Sequence, residues 1–295
     1  MKNLNIIAAF SLLFTFLLSA AAQNPTAQSG FTTKHGPENG ALVIIGGGKI
    51  GDDILDRFVA LAGGASNAKI VVVSNASADD EKYIQQSIDD IAAKVGAKNV
   101  TRLHFSTIEE ANDPKLIKPL TQATGIFFTG GRQWRISEVY LNTLAHKEML
   151  KLLARGGAIA GTSAGASIQG SLLWRGDTEG YHIIIGDHTQ GLGFLRNSAI
   201  DQHILVRNRQ DDLEAFIRIA PRFIGIGIDE STAVVVQKDE LEVIGKSYVA
   251  VHSADEKAKH TSGRYRFLKA GDKYDLAERR LVSRDGKELS QNKGL

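Results

Sequence analysis

Runs of apolar residues alternate with segments of helical period along the first half of the chain. The pattern predicts strands at residues 41–45, 69–74, 100–105, 125–129 and 158–161, and helices at residues 52–61, 79–95, 107–122 (interrupted by Pro114) and 136–154. The strands are continuously apolar instead of alternating between apolar and polar positions. Strands of that kind are buried on both faces, so the pattern predicts an α/β fold with a parallel sheet covered on both sides.

The pattern changes after Gly170, where short apolar runs follow one another with little helical sequence between them. Strands are predicted at residues 181–185, 199–204, 224–228, 233–236 and 241–244, and a single helix at residues 209–219. We interpret this region as an extension of the sheet with hairpins, within the same domain. Residues 249–295 become increasingly charged and show no clear pattern.

The N-terminal segment has a different character from the rest of the chain. Lys2 precedes an almost wholly apolar stretch at residues 6–22 that ends in three alanines, and the sequence turns polar at Gln23. This is the pattern of a secretory signal peptide; a membrane anchor, the alternative, would need about 20 apolar residues with retaining flanks. We therefore predict a signal peptide at residues 1–22, a flexible polar segment at residues 23–40 and one folded domain at residues 41–295.

Composition narrows the classes of function. The chain has 295 residues, with 35 Lys and Arg against 33 Asp and Glu, so no clustered basic face for nucleic acid is expected. It has 0 cysteines, which excludes disulfides, a thiol nucleophile and thiolate zinc sites. We expect export to the periplasm or the medium, with no membrane association once the signal peptide is cleaved.

The segment Gly161-Thr162-Ser163-Ala164-Gly165 fits the pattern G-x-S-x-G between a predicted strand and a helix start. A sharp turn of this kind pushes the serine hydroxyl out above the sheet and places the next backbone N–H at a helix N-terminus, where it can stabilise an oxyanion. The alternative is a glycine-rich helix start that Ser163 merely caps.

A serine nucleophile needs a base, and His203 is the strongest of the 8 histidines. Asp201, Gln202 and His203 interrupt an otherwise apolar strand, and three buried polar residues in a row are costly unless they line a site. A single histidine is more often structural, so the context of His203 rather than its residue type favours it.

An acidic residue must orient that base. The buried strand predicted at residues 224–228 ends in Asp229 and Glu230, and α/β folds place functional side chains at the carboxyl ends of strands. Either carboxylate could serve, and spacing alone does not choose between them. Ordinary turn acidity is the alternative interpretation.

A glycine motif near the N-terminus suggests a different function. Residues 46–51 fit G-x-G-x-x-G directly after a strand, as in a dinucleotide site. Such a site also needs an acidic residue about 20 positions further on, at the end of the next strand. Ser74, Asn75 and Ala76 lie there instead. A tight turn close to the serine is the better interpretation.

Taken together and in order, these segments resemble the S51 serine peptidases. The resemblance rests on residues 161–167, on Asp201-Gln202-His203, on residues 225–230, and on Phe128-Thr129-Gly130-Gly131 followed by Gln133. It spans residues 42–244, and it is stronger to the cyanophycinases than to the aspartyl dipeptidases of the same family.

The resemblance implies a fold, a catalytic site and a substrate. The fold would be a three-layer α/β/α sandwich with a mainly parallel sheet, like class I glutamine amidotransferases and flavodoxins, in a homodimer. Cyanophycin, a polyaspartate with arginine on each β-carboxyl, would be cleaved to β-Asp-Arg dipeptides, without a metal or a cofactor. The implied site residues are Ser163, His203 and Glu230 for catalysis, Gly131 and Ala164 for the oxyanion hole, and Gln133, Asp201, Gln202, Arg207 and Arg209 for substrate binding.

Two positions depart from the family pattern. Arg132 stands where the family commonly has Asp, and Asp212 stands where a further Arg is expected. Arg132 could repel a substrate guanidinium or favour a more acidic β-aspartyl or α-aspartyl peptide. Two other functions therefore stay open beside the peptidase: a non-catalytic binding protein, and an esterase or amidase that uses the same triad on a small molecule.

Overall fold

The computed structural model describes residues 33–254 and 265–289. The predicted signal peptide and residues 23–32 lie outside this part. Within it, no helix is long and apolar enough to cross a membrane.

The described residues form helices and strands in an order that begins as predicted. The helices are α1 Asp52–Leu61, α2 Glu81–Val95, α3 Ile108–Ala111, α4 Lys118–Gln122, α5 Gln133–Tyr140, α6 Leu144–Ala154, α7 Ala164–Ser167 and α8 Glu214–Ile219, with short 3₁₀ turns at Asn75–Ser77 and Ala97–Asn99. The strands are β1 Ala41–Ile45, β2 Ile70–Val73, β3 Val100–Leu103, β4 Gly125–Phe128, β5 Ala158–Thr162, β6 Gly170–Leu172, β7 Leu195–Gln202, β8 Ile224–Ile228, β9 Thr232–Gln237, β10 Glu240–Gly245, β11 Tyr248–His252, β12 Arg266–Lys269, β13 Lys273–Asp275, β14 Arg280–Arg284 and β15 Lys287–Glu288.

A ten-stranded sheet forms the centre of the protein, in the order β15-β14-β13-β10-β9-β1-β5-β4-β2-β3. Strands β1, β5, β4, β2 and β3 pair in parallel, and they are the five strands predicted in the first half of the chain. From β9 onward the pairing is antiparallel. The predicted α/β fold with a parallel central sheet is confirmed.

The two faces of the parallel strands bury different side chains. Val43 and Val72 point to the face covered by α1 and α2, where they pack with Phe58. Leu42 and Val73 point to the other face, which α5, α6 and a second sheet cover. Successive residues of a strand point to opposite faces, so a strand buried on both must be apolar throughout.

The region after Gly170 differs from the prediction. Strands β12-β11-β8-β7-β6 form a separate five-stranded sheet, with β6, β7 and β8 parallel and β11 and β12 antiparallel. Strand β9 pairs with β1 and occupies the edge at which β7 or β8 would extend the central sheet. The second sheet packs instead on the face of the central sheet, through Ile200 and Ile226.

Several predicted elements have different bounds. The helix predicted at residues 136–154 divides into α5 and α6 at Asn142, whose φ is 63°. The side chain of Thr143 then caps α6 by accepting a hydrogen bond from the N–H of His146. No strand forms at residues 181–185, whereas residues 249–295 include strands β11 to β15.

The segment predicted to be flexible is held in place where it is described. The backbone N–H of His35 donates to the carboxylate of Asp239 at 2.7 Å. The guanidinium of Arg196 donates to the carbonyl oxygens of Thr33 and Gly36 at 2.9 and 2.8 Å. Residues 33–40 therefore pack as part of the folded domain, because charged partners far along the chain satisfy their backbone groups.

Candidate active site

The candidate site lies where five strands end. Ser163 directly follows β5, His203 directly follows β7, and Glu230 lies two residues after β8. The glycine-containing turns that follow β1 and β4 lie beside these three residues. The carboxyl ends of parallel strands lie at one edge of their sheet, and here those edges of the central and the second sheet meet, so residues far apart in sequence come together.

Ser163 lies in a strained turn, as the G-x-S-x-G pattern predicts. Its φ of 53° and ψ of −108° are unusual for any residue with a side chain. A Cβ at Gly161 would lie 2.2 Å from the carbonyl oxygen of Gly165, and one at Gly165 would lie 2.4 Å from that of Phe128. Both flanking positions therefore require glycine for the turn to form.

Ser163, His203 and Glu230 form a continuous chain of hydrogen bonds. The hydroxyl of Ser163 lies 2.8 Å from Nε2 of His203, and Nδ1 of His203 lies 2.6 Å from Oε1 of Glu230. A carboxylate can only accept, so Nδ1 bears the proton and Nε2 is free to accept from the serine hydroxyl. This is the arrangement of a nucleophile, a general base and a residue that orients the base.

The structure distinguishes the two acidic residues that the sequence left open. Glu230 contacts His203, whereas Asp229 supports the turn around it. Oδ1 of Asp229 accepts from the backbone N–H groups of Leu205 and Val206, at 3.0 and 3.2 Å, and Oδ2 accepts from the hydroxyl of Ser247 at 2.6 Å. Asp229 thereby holds the segment that follows the histidine.

The turn at residues 46–48 packs directly against the histidine and the glutamate. A Cβ on Gly47 would lie 2.2 Å from Cε1 of His203, and a Cβ on Gly48 would lie 2.6 Å from Oε2 of Glu230. Both glycines also have positive φ, 116° and 67°. The absence of side chains here leaves room for the imidazole and the carboxylate, which explains the glycine motif as a tight turn beside the serine.

The same turn joins the two sheets by backbone hydrogen bonds. The N–H of His203 donates to the carbonyl oxygen of Gly46 at 3.0 Å, and the N–H of Ser231 donates to that of Gly47 at 2.9 Å. His203 itself has a φ of 56°. The strained conformation of the histidine is therefore fixed by a contact with the central sheet.

Burial lowers the pKa of His203 below its ordinary value, and the positive charges of Arg207 and Arg209 lower this pKa further, while Glu230 opposes both effects. The neutral base is therefore present throughout the neutral range. We expect the acidic limb of the kcat/KM profile to have its midpoint below about pH 6.5, the ordinary histidine pKa.

Replacing Arg207 by alanine should move this acidic limb to higher pH, because one of the charges that disfavour the imidazolium is lost. The measurement is the pH profile of kcat/KM for both proteins. The exposed Arg222, which stacks on Phe223, provides the control position. If the acidic limb of the Arg207→Ala profile stays in place or moves to lower pH, Arg207 does not lower the pKa of His203.

The two predicted oxyanion donors have backbone N–H groups available for a ligand. Ala164 opens helix α7 directly after Ser163, and Gly131 lies in the turn after β4. Neither N–H donates a hydrogen bond within the described part of the chain. The turn is close to the nucleophile, because a Cβ on Gly130 would lie 3.4 Å from Cβ of Ser163.

Among the predicted substrate-binding residues, Asp201 is completely buried. Its two oxygens accept from Nε and Nη2 of Arg175, each at 2.9 Å, and Oδ2 also accepts from the indole of Trp174. Arg175 bonds Asp212 as well, and it donates to the carbonyl oxygen of Tyr181 at 3.2 Å. Asp201 thus holds Arg175 in the interior next to the site, and the unexpected Asp212 is a second partner of Arg175.

Two predicted glutamines are also buried and hydrogen-bonded. Nε2 of Gln133 donates to the carbonyl oxygens of Trp174 and Arg175, at 2.9 and 2.8 Å. Oε1 of Gln202 accepts from Arg209 at 3.0 Å. These contacts fix the position of the loop after β6 and the direction of the Arg209 side chain.

Three guanidinium groups surround one exposed tyrosine near His203. The Cζ atoms of Arg132, Arg207 and Arg209 lie 5.6, 5.4 and 5.3 Å from the centre of the Tyr181 ring. Arg209 approaches Asp201 at 3.8 Å, but neither Arg132 nor Arg207 forms an ion pair with a described carboxylate. The cluster Arg132, Arg207, Arg209 and Tyr181, called here the arginine cluster, thus has uncompensated positive charge.

Other histidines have structural contacts. Nε2 of the buried His146 hydrogen-bonds the carbonyl oxygen of Leu192 at 2.8 Å, and its Nδ1 accepts from the N–H of Asn142. Nδ1 of His35 lies 3.0 Å from the carbonyl oxygen of Arg196. These side chains have the satisfied contacts of structural histidines.

Sequence reasoning missed Arg175 and Tyr181. Arg175 meets Asp201 across 26 residues of chain, a separation with no regular spacing to reveal it. Tyr181 lies in a segment that was predicted to be a strand. A possible signal was the charged Arg175 directly after the apolar sequence Leu172-Leu173-Trp174, since a buried arginine requires a partner.

Comparisons with known proteins agree with this geometry. The family model for peptidase family S51 matches residues 42–244. A cyanophycinase from Trichormus variabilis is 31% identical over 268 residues, covering 82% of this chain and 87% of the relative. One from Geminocystis herdmanii is 32% identical over 222 residues, covering 72% of this chain and 79% of the relative.

Solved structures show the same fold at low identity. A peptidase from an acI-B1 actinobacterium aligns with a TM-score of 0.59 at 21% identity, covering 81% of this chain and 98% of that one. A putative peptidase E from Listeria monocytogenes aligns with a TM-score of 0.51 at 15% identity, covering 70% of this chain and 99% of that one. From the family match and the relatives, this chain belongs to peptidase family S51 and is a serine peptidase.

Proposed function

We propose that this protein is an exported serine-type exopeptidase that hydrolyses cyanophycin, or a related β-aspartyl peptide, to dipeptides. The observation that supports it most directly is the unbroken chain from the Ser163 hydroxyl through His203 to Glu230. A protein of this fold that had become a binding module would have no need to retain all three side chains in hydrogen-bonding geometry.

The catalytic roles follow from the positions of the protons. Oγ of Ser163 attacks the substrate carbonyl while its proton passes to Nε2 of His203, and the imidazolium then gives that proton to the leaving amine. A water molecule repeats the sequence on the acyl-enzyme, releasing the acid and restoring the serine. Glu230 holds the tautomer of His203 and stabilises its charged form.

The negative charge that develops on the substrate oxygen needs donors that are already in place. The N–H groups of Gly131 and Ala164 are free of acceptors in the described structure and flank the nucleophile. We assign them to the oxyanion hole. Such donors are worth about 10²- to 10³-fold in rate each, because they bind the transition state better than the substrate.

The proposed substrate is supported by the relatives and by the arginine cluster. Two similar proteins from Trichormus variabilis and Geminocystis herdmanii are cyanophycinases. A polyaspartate with arginine on each β-carboxyl presents the free carboxylates of its arginines and of its terminal aspartate. Guanidinium groups bind such carboxylates in bidentate fashion. Arg132 and Arg207, which have no ion pair with a described carboxylate, are therefore suited to them, and Arg209, hydrogen-bonded to Gln202, adds a third cation.

The direct test is dipeptide release from purified cyanophycin by residues 23–295, with Ser163→Ala as the control. The proposal expects β-Asp-Arg to be released by the wild type and not by the variant. If no dipeptide appears although Ser163 still reacts with a fluorophosphonate, the substrate assignment is wrong and a panel of β-aspartyl and α-aspartyl peptides and small esters follows. If the serine does not react either, a binding protein becomes the better account.

Arg132 should contribute to substrate binding. We expect Arg132→Ala to raise KM by roughly 10- to 100-fold with little change in kcat, because one charge-assisted hydrogen bond to a substrate carboxylate is lost. Arg135 is the matched control: it lies in α5, three residues after Arg132, stacks on Trp134 and pairs with Asp79, so its removal should leave KM unchanged. A KM that falls in Arg132→Ala would show that Arg132 repels the substrate instead.

Export and assembly are further parts of the proposal. The apolar stretch at residues 6–22 supports a cleaved signal peptide, and the mass of the protein recovered from the periplasm or medium should correspond to a chain beginning near Gln23. The homodimer is expected from the resemblance, and light scattering of the purified protein measures it. A chain retained in the membrane with its first 22 residues would contradict export.

A further inference from the structure

The peptide between Gly130 and Gly131 is held by a buried hydroxyl outside the triad. Ser77 is 5% exposed and lies in the 3₁₀ turn Asn75–Ser77 after β2. Its hydroxyl donates a short hydrogen bond to the carbonyl oxygen of Gly130. Within the described structure no other group donates to that oxygen.

This contact fixes the direction of the proposed oxyanion donor. The carbonyl of Gly130 and the N–H of Gly131 belong to one planar trans peptide, so they point in opposite directions. With the oxygen turned inward to Ser77, the N–H of Gly131 must point away from it, toward the side where it finds no acceptor in the described chain. The hydrogen bond of Ser77 thus selects the orientation in which this N–H is available.

A contact that fixes the orientation of this peptide is needed because both of its residues are glycine. Rotation of the peptide changes ψ of Gly130 and φ of Gly131, and glycine tolerates values that other residues do not. Gly131 already has a φ of 126°, and a Cβ there would lie 2.0 Å from the carbonyl oxygen of Ala76. Without side chains to oppose it, a flipped peptide would differ by little steric energy.

The neighbouring contacts hold the ends of this segment but not the peptide plane between them. The N–H of Gly130 donates to the hydroxyl oxygen of Tyr83 at 3.3 Å, and the N–H of Arg132 donates to the carbonyl oxygen of Ala76 at 2.9 Å. Neither contact involves the carbonyl of Gly130 or the N–H of Gly131.

Ser77 is itself held in the orientation that this requires. Its Oγ lies 3.0 Å from Oγ1 of Thr129. A hydroxyl has one hydrogen, so while Ser77 donates to Gly130, its contact with Thr129 requires the hydrogen of Thr129, whose other acceptor is the carbonyl oxygen of Val73 at the longer distance of 3.4 Å. The two hydroxyls form a short buried chain that ends on the peptide of the oxyanion hole, and each bond polarises the next.

We propose that Ser77 is a positioning residue that keeps the N–H of Gly131 directed into the oxyanion hole. The inference rests on the proposed function, because it concerns the site that would stabilise the oxyanion. Ser77 does not touch substrate: its effect passes through the Gly130–Gly131 peptide, and it should appear in the rate of the chemical step and not in substrate binding.

The experiment compares Ser77→Ala and Ser77→Cys with the wild type. In Ser77→Ala the selecting hydrogen bond is lost, and we expect kcat and the rate of fluorophosphonate labelling at Ser163 to fall about 10- to 100-fold with KM unchanged, less than or comparable to the loss of one oxyanion donor. Ser77→Cys retains a weak donor of similar size and should fall between the two. Thr121→Ala, which removes an exposed hydroxyl bonded to the carbonyl oxygen of Lys118, should have no effect.

The outcomes separate this inference from the function on which it rests. A Ser77→Ala protein with wild-type labelling rate and kcat, or one in which KM rises while kcat stays, overturns the inference. If Ser77→Ala does not fold, Ser77→Cys decides in the same way. If the wild type is labelled but does not cleave cyanophycin, the substrate is wrong while the labelling rates still test Ser77. If the wild type is not labelled, both fail.

Discussion

Replacing Gly47 by alanine should reduce kcat/KM by about 10²- to 10³-fold while the protein stays folded. The added methyl would lie 2.2 Å from Cε1 of His203, so the imidazole must move. A displacement of about 1 Å in a catalytic group can cost 10²-fold, because the base loses its alignment with the nucleophile. The measurement is kcat/KM together with the thermal denaturation midpoint of the variant.

Gly64→Ala is the matched control for Gly47→Ala. Gly64 also has a positive φ, 82°, but a Cβ there would meet no atom within 4 Å. Both variants therefore pay the conformational cost of alanine at positive φ, about 1–3 kcal/mol, and only Gly47→Ala adds a collision with the histidine. Equal activities in the two variants would show that the turn does not position His203.

Replacing Arg175 by methionine should lower the free energy of unfolding by about 3–5 kcal/mol, the usual cost of leaving a buried charge without its partner. Arg175 is 4% exposed and Asp201 is 0% exposed, and two hydrogen bonds join them. Denaturant unfolding measures the change. Activity should fall as well, because Arg175 holds the backbone of Tyr181, which lies within the arginine cluster.

A second substitution and an exposed ion pair serve as controls for this prediction. Arg175→Met combined with Asp201→Leu should recover part of the lost stability, because no buried carboxylate is then left unpaired. Lys151→Met breaks an ion pair with Glu148 in which the lysine is 68% exposed, and it should cost well under about 1 kcal/mol. An Arg175→Met protein as stable as Lys151→Met would refute the structural role assigned to Arg175.

The parallel half of the fold could be predicted because the apolar sequence of each buried strand shows that both of its faces are covered. Residues 41–45 and 224–228 are apolar at every position, and the structure gives strands with those bounds. Ser163 was identifiable for a local reason too: glycines on both sides permit a turn that other residues would obstruct. Patterns of this kind depend on neighbours in sequence, so the sequence contains them in full.

Contacts between distant segments could not be predicted in this way. The choice between Asp229 and Glu230 depends on which side of a turn faces His203, and that is set by the hydrogen bond between Ser231 and Gly47. The second sheet forms because β9 occupies the edge beside β1. The hydrophobic pattern of β7 and β8 does not show which sheet these strands join. Tertiary competition for a sheet edge decides such cases.

The glycine motif shows how one pattern can fit two functions. Residues 46–51 match the dinucleotide fingerprint, in which glycines allow a pyrophosphate to approach the backbone. Here the space left by Gly47 and Gly48 is filled by His203 and Glu230 from the same chain. The physical requirement for a close approach is the same, and only the structure shows what approaches.

The most direct test of Ser163 as the nucleophile is to react the protein with a fluorophosphonate and locate the adduct by mass spectrometry. We expect one adduct, on Ser163, and a labelling rate that falls to near zero in His203→Ala because the base is missing. An adduct on another serine, or unchanged labelling of Ser163 without His203, would contradict the assignment of this hydrogen-bonded chain as the catalytic machinery.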